Sequence, residues 1–260
     1  MRRSSTRRPE QPDSAAVDRR EPGVVHLVSY PRSGNTLARG YFSILQGRPQ
    51  RSVYAGDVVP PIGPPLTHAL DHVDLVKSHR IPVDSSPMIY LVRDGRNATL
   101  SFLYMAFLFG GHQYSELSEV CEAIAWLDAT EGSWTEHVLA ALARGDARRT
   151  LFIRYEDLVS RPDAALKRMV RFLKADVPVG QLRECVRLGR GSDRYAQNPH
   201  NGYLYQPAAG SIYDILKQRR RGDYWRRILD RRTRRYFHDR GATPLLLNFR
   251  YEQSENWWRE

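Results

Sequence analysis

Val24-Val25-His26-Leu27-Val28, running into Ser29-Tyr30-Pro31-Arg32-Ser33-Gly34-Asn35-Thr36, sets the architecture. The first five residues form a β-branched apolar run that stops at polar residues and a proline, the pattern of a buried strand ending in a loop. From Asn35 the period changes: Leu37, Tyr41, Ile44 and Leu45 recur at helical spacing until Gly47. Strand, loop and helix follow one another. Leu75-Val76-Lys77 and Met88-Ile89-Tyr90-Leu91-Val92 read as further strands after an irregular proline- and glycine-rich stretch over 59–65. Asp94 is placed to cap a helix through about Phe109, and residues 116–129 and 133–143 predict two more helices joined near Gly132. Leu151-Phe152-Ile153 is another strand, and Pro162 opens a helix with Leu166, Met169, Val170 and Leu173 on one face. Strands alternating with helices predict a single α/β domain, a mostly parallel central sheet flanked by helices.

Composition bounds the rest. A chain of 260 residues with 41% hydrophobic content can bury one full core. Residues 1–22 carry almost no bulky apolar side chains and predict a flexible basic tail, so the domain is expected over 23–253, with a C-terminal tail over 254–260. No apolar run approaches a membrane span and no signal-like segment is visible, so a cytoplasmic protein is expected. Cys121 and Cys185 lack metal-ligand or redox spacing and read as buried thiols. Lys+Arg exceed Asp+Glu by 40 to 29, which favours an anionic partner. The arginines do not form one stripe interleaved with aromatics, so nucleic acid is not the expected partner. Most of them read as a solvated basic face.

Ligands of parallel α/β sheets collect at the carboxyl ends of strands, which directs attention to the first loop. Gly34 lets the backbone curl, and the amides and hydroxyls of Ser33 to Thr36 at a helix N-terminus make a phosphate cradle of P-loop nucleotide-binding type. Compared with a Walker A loop, the first glycine is Ser29 and the usual lysine is Asn35, with the positive charge moved back to Arg32. Taken alone, such a loop is compatible with an ordinary turn. A second segment adds Arg93 at a strand end and Ser101 eight residues on, where an arginine fork and a helix hydroxyl can converge on one phosphate. The bland alternative pairs Arg93 with Asp94 or Glu156.

These segments together resemble the cytosolic-type sulfotransferases over roughly residues 24–250. Tyr30-Pro31-Arg32-Ser33-Gly34-Asn35-Thr36 is similar to the family's 5′-phosphosulfate loop, Y-P-K-S-G-T-T. Arg93 and Ser101 match its 3′-phosphate segment, Lys77-Ser78-His79 its K-T-H motif, and Tyr155-Glu156-Asp157-Leu158 with Arg161-Pro162 its Y-E-D-x-x-x-x-P segment, whose tyrosine lies near the adenine. The resemblance implies a sulfotransferase that moves a sulfuryl group from 3′-phosphoadenosine-5′-phosphosulfate (PAPS) to a hydroxyl of a small-molecule acceptor, releasing adenosine 3′,5′-bisphosphate (PAP). Its departures are Arg32 for lysine, Leu37 for tryptophan, and a C-terminal R-K-G-x-x-G-D-W only echoed by residues 217–225. Among Arg219, Arg220, Arg221 and Gly222, the sequence leaves open which basic side chain meets the 3′-phosphate.

In-line transfer requires a base for the acceptor hydroxyl and cations for the developing charge. His79, just past the strand that holds Lys77, is the expected base among eight histidines, with Arg32 and Lys77 as the stabilising cations. No metal site is expected. Phe102, Tyr104, Met105 and Phe109, in an apolar stretch, and Tyr203, in an aperiodic segment over 192–211 that resembles a lid, are the expected acceptor contacts. Arginine richness is compatible with a GC-rich bacterial source and a natural-product acceptor. A homodimer is compatible with the sequence, which does not fix the oligomeric state. Two rivals stand beside this reading: a P-loop kinase or NTPase using ATP, and a basic nucleic-acid-binding protein.

Overall fold

The structure, a computed structural model, describes residues 23–109, 120–190 and 224–260. Five parallel strands form one sheet in the order β2-β3-β1-β4-β5: β1 Gly23–Ser29, β2 Arg51–Ser52, β3 Val73–Ser78, β4 Met88–Val92 and β5 Thr150–Arg154. β1 lies at the centre, in register with β3 from Gly23 opposite Val73 and with β4 from His26 opposite Met88. Because all strands run the same way, the loops after β1, β3 and β4 emerge side by side on one edge.

Period-two alternation sends the strand side chains to two cores. Val25, Leu27, Leu75, Ile89, Leu91 and Ile153 face α1 (Asn35–Gln46), α6 (Pro162–Phe172) and α7 (Val179–Arg190). Val28, Met88, Tyr90 and Val92 face the opposite layer, which contains α2 (Gly95–Phe109), α3 (Val120–Glu131) and α4 (Trp134–Leu142). β4 is buried along its whole length, as its unbroken apolar run requires of a strand covered on both faces. The short α5 (Tyr155–Ser160) follows β5 directly.

The start of α2 depends on a close approach. A Cβ on Gly95 would lie 2.3 Å from the Trp134 ring, so only glycine lets the helix begin there. α4 opens with a capping box: Ser133 Oγ accepts from the Glu136 amide, and the Glu136 carboxylate accepts from the Ser133 amide. Both cysteines are buried free thiols.

The expected C-terminal tail over 254–260 is corrected. After α8 (Trp225–Ile228), α9 (Arg231–Asp239) and α10 (Ala242–Asn248), the chain ends in a 3₁₀ turn, Trp257–Arg259, whose Trp257 is fully buried. Trp257 packs edge-on against Trp225 and donates from Nε1 to Thr243 Oγ1 at 2.9 Å. Its large apolar ring belongs to the same core as α2, so the last residues are part of the domain. Part of the expected helix over 116–129 is seen as α3, and residues 116–119 lie outside the described residues.

Trp257→Ala is expected to destabilise the fold by about 3–5 kcal/mol in urea denaturation, the usual cost of emptying a buried tryptophan site. A loss below about 0.5 kcal/mol, the usual surface value, would restore the tail.

Candidate active site

The loop after β1 is shaped by two residues of positive φ, Arg32 at 65° and Gly34 at 102°. Gly34 is required twice over: its backbone is left-handed, and a Cβ would lie 2.6 Å from the Tyr155 ring. Gly34 is the N-cap of α1 and offers no side chain to its first-turn amides, which leaves them as anion donors. Ser33 Oγ is buried with no hydrogen-bond partner, a donor that an entering phosphate oxygen would satisfy. Asn35 is tied down, donating to Ser29 Oγ at 2.6 Å. Tyr30 is buried beneath the loop, edge-on to Phe102.

The strand-end cations close on this loop. Arg93 Nη1 donates to the Arg32 carbonyl at 2.8 Å, and its guanidinium lies over the Tyr155 ring at 4.6 Å. Arg32 Nε donates to Ser101 Oγ at 3.3 Å. No carboxylate among the described residues pairs with Arg93. Asp94 is taken by Arg96, while Glu156 accepts from the Asp94 amide and the Tyr251 hydroxyl.

His79 stands just past β3. The Ser78 hydroxyl bridges the turn, accepting from the Arg80 amide and donating to the Arg80 carbonyl. His79 Nδ1 lies 2.9 Å from the Ser29 carbonyl. A carbonyl only accepts, so Nδ1 carries the proton and the neutral ring keeps Nε2 as a base. Burial, helped by the charge of Lys77, pushes the His79 pKa down to about 4 against the bond to Ser29. The imidazole is therefore neutral at pH 7.

Lys77 is not a lone cation. Its Nζ donates to Asp57 at 2.7 Å and sits over the Tyr54 ring, while the buried Arg39 binds the other oxygen of Asp57 at 2.7 Å. Burial lowers the Lys77 pKa and Asp57 opposes the shift. Burial also works against the Asp57 charge, but hydrogen bonds from Arg39 and Lys77 outweigh it and hold the acid at about 2. Asp57 and Arg39 are missed by sequence reasoning. Asp57 sits in an irregular loop, and nothing in its spacing points to β3.

A cleft of about 570 Å³ gathers these groups. Pro31, Arg32, Gly34, Asn35, Thr36, Lys77, His79, Arg93 and Tyr155 line it together with Phe102 and Met105. The structure adds Leu37, Tyr54 and Glu131 to the lining. Ser33 and Ser101 are buried and are not among the lining residues. Tyr104, on α2, is not among the lining residues and packs, partly buried, against the core. The Phe109 side chain, Tyr203, Arg219, Arg220, Arg221, Gly222 and the segment 192–211 lie outside the described residues. Among the described residues, no helix is long and apolar enough to cross a membrane, and no three acidic, histidine or cysteine side chains gather as for a metal ion.

The Asp57 pairing carries a pH signature. Its folded pKa, near 2, is below its ordinary 3.8, so its stabilising contribution is complete above about pH 4 and is lost as pH falls towards 2. Asp57→Asn is expected to show a smaller drop in thermal midpoint than the wild type over that interval, measured by circular dichroism. Identical drops would mean that the pairing contributes nothing.

Known proteins share this fold. A structure of mouse sulfotransferase SULT7A1 complexed with PAP superposes with a TM-score of 0.56 at 20% identity, covering 85% of this chain and 82% of that one. Retinol dehydratase in complex with androsterone and inactive cofactor PAP gives 0.57 at 17% identity over 84% of this chain and 79% of that one. Rat sulfotransferase 1 family member D1 is 22% identical over 180 residues, 60% of this chain and 61% of the rat protein, so the chain spans about three fifths of that relative's length. The sulfotransferase domain profile matches residues 22–208, more than half of the chain, and the chain belongs to the sulfotransferase domain family.

Proposed function

We propose that this protein transfers a sulfuryl group from PAPS to a hydroxyl of a small-molecule acceptor. The observation that carries the reading is the neutral His79, its Nε2 free of a proton, opening on the same cleft as the phosphate loop. The PAP named with both structural relatives supports the nucleotide, and the androsterone named with one of them supports a small hydroxyl-bearing acceptor.

PAPS, when bound, supplies an activated sulfuryl group whose leaving group is PAP. The α1 amides, Ser33 and Thr36 would hold its 5′-phosphate, and Arg93 with Ser101 its 3′-phosphate. Tyr155, already stacked on Arg93, would flank the adenine. Arg219, Arg220, Arg221 and Gly222 are proposed to complete the 3′-phosphate site. The residue that follows closely in sequence, Tyr224, is anchored by its hydroxyl to the Asn97 carbonyl at 2.8 Å, near the Arg93 end of α2. His79 would accept the acceptor's proton at Nε2, while Arg32 and Lys77 stabilise charge on the transferring and departing oxygens. Phe102 and Met105 would contact the acceptor. The working unit is proposed to run from Gly23 through the C-terminal tryptophans.

His79→Ala is expected to lower turnover by at least about a hundredfold and to leave PAP affinity nearly unchanged, the signature of a lost general base. Release of PAP from PAPS across a panel of phenols, sugars, nucleosides and peptides measures it. Near-normal turnover would move the base elsewhere. Since the free-enzyme imidazole titrates near 4, kcat/KM is expected to hold from pH 7 down to about 5 and to fall only below that. An acid limb at 6.5 would mean an unburied base. Calorimetry separates the rivals: tight PAP binding without magnesium supports the proposal, magnesium-dependent ATP binding supports a kinase or NTPase, and affinity for nucleic acid that collapses with salt supports a binding protein.

A further inference from the structure

Behind His79 stands a second histidine that the proposed reaction does not use. His137 lies one turn into α4, its height fixed by the capping box at Ser133. Its Nε2 is 2.7 Å from the His79 backbone carbonyl, and its Nδ1 is 2.7 Å from the Tyr90 hydroxyl on β4. The carbonyl only accepts, so Nε2 carries the proton and Nδ1 accepts from Tyr90. Tyr90 is fully buried, and Tyr30 stands edge-on to the His137 ring at 5.9 Å. Burial lowers the His137 pKa, which keeps this neutral tautomer at pH 7.

The turn that carries His79 has few other holds. Ser78 ties it only to itself, and the His79 amide donates to Tyr54, a partly exposed side chain on the irregular loop that also holds Asp57. His137 bonds the His79 backbone itself to β4 and α4 at once, while Ile81 and the Pro82 carbonyl, which accepts from Arg144, hold the chain that follows. We propose that His137, oriented by Tyr90, is a positioning residue that fixes the backbone of His79, so that the His79 ring keeps Nδ1–H on Ser29 and an unprotonated Nε2 in the cleft. The proposal rests on His79 as the base. A ring is suited to the task because its two nitrogens reach partners on opposite sides, a donor to the turn and an acceptor to the sheet. Nothing charged among the described residues bonds to it, since the neighbouring Glu136 is turned back to Ser133.

Nitrogen-15 NMR of the imidazoles in the ligand-free chain tests this without using turnover. In the wild type, His79 is expected in the Nδ1–H form, titrating near 4. His137→Gln, whose amide nitrogen reaches where Nε2 stood, is expected to keep both properties. His137→Leu, which fills the space without a donor, is expected to raise the His79 pKa by one unit or more and to mix its tautomers. Where His137→Leu does not fold, Tyr90→Phe, removing only the hydroxyl, is expected to shift His79 in the same direction by less. An unchanged His79 tautomer and pKa in a folded His137→Leu or Tyr90→Phe variant overturns the proposal, as does equal disturbance by Gln and Leu. Failure of the base reading would look different: His79→Ala would keep its turnover while the NMR result stood.

Discussion

The guanidinium of Arg96 sits where the start of α2 meets the C-terminal segment, two residues past the Asp94 that follows the cleft's Arg93. Arg96 is almost completely buried, bonded through Nε and Nη2 to the two oxygens of Asp94 and through Nη1 to Glu252, and held between the Trp225 ring at 3.7 Å and the Trp257 ring at 4.7 Å. Burying such a charge costs several kcal/mol unless its partners are in place, so neither the C-terminal aromatics nor Asp94 can move independently of it. One consequence reaches the cleft. Because Asp94 is committed to Arg96, its neighbour Arg93 is left to the Arg32 carbonyl and the Tyr155 face.

The same logic bears on the charge of two neighbours in the cleft, Lys77 and His79. Lys77 sits half-buried, where desolvation works against its charge, and the Asp57 carboxylate keeps that charge in being. Asp57 is in turn fixed by Arg39, whose Nη2 also donates to the carbonyls of Gln50 and Asp57. Lys77 and burial together keep the His79 ring neutral, which is the state a base needs. Asp57 thus keeps Lys77 charged, while its own charge pulls the His79 pKa slightly upward against burial and Lys77.

How much of this is legible in the sequence follows from which forces act locally. The central strands, α1 and the start of α2 are set by apolar period, Gly47 and Asp94, and these signals lie within a few residues of the structure they produce. Motif spacing likewise marks Arg32, Lys77, His79, Arg93 and Tyr155. In the C-terminal third α9 is hard to read because it hides only Thr233 and Phe237 beneath a run of arginines that reads as a charged surface. α7 carries a glycine, Gly189, that weakens a helix pattern yet is needed where the chain meets Tyr41, 2.6 Å from its would-be Cβ. Asp57, His137 and Trp257 escape for a different reason. Each is defined by a partner at least 14 residues away in sequence, and no local pattern encodes it.

Arg32, the departure from the family's lysine, shows how such distant contacts change a motif's physics. A lysine would bring one compact charge to the loop, whereas the planar arginine uses Nε for Ser101 and, through its own carbonyl, receives Arg93. The loop residue, Arg93 past the end of β4 and Ser101 in α2 are therefore one hydrogen-bonded unit. Its backbone is held at a φ of 65°, a conformation that a non-glycine residue keeps only when its surroundings fix it, and the two contacts supply that constraint. A phosphate that draws Arg93 away from the carbonyl would loosen one of the bonds that fix Arg32.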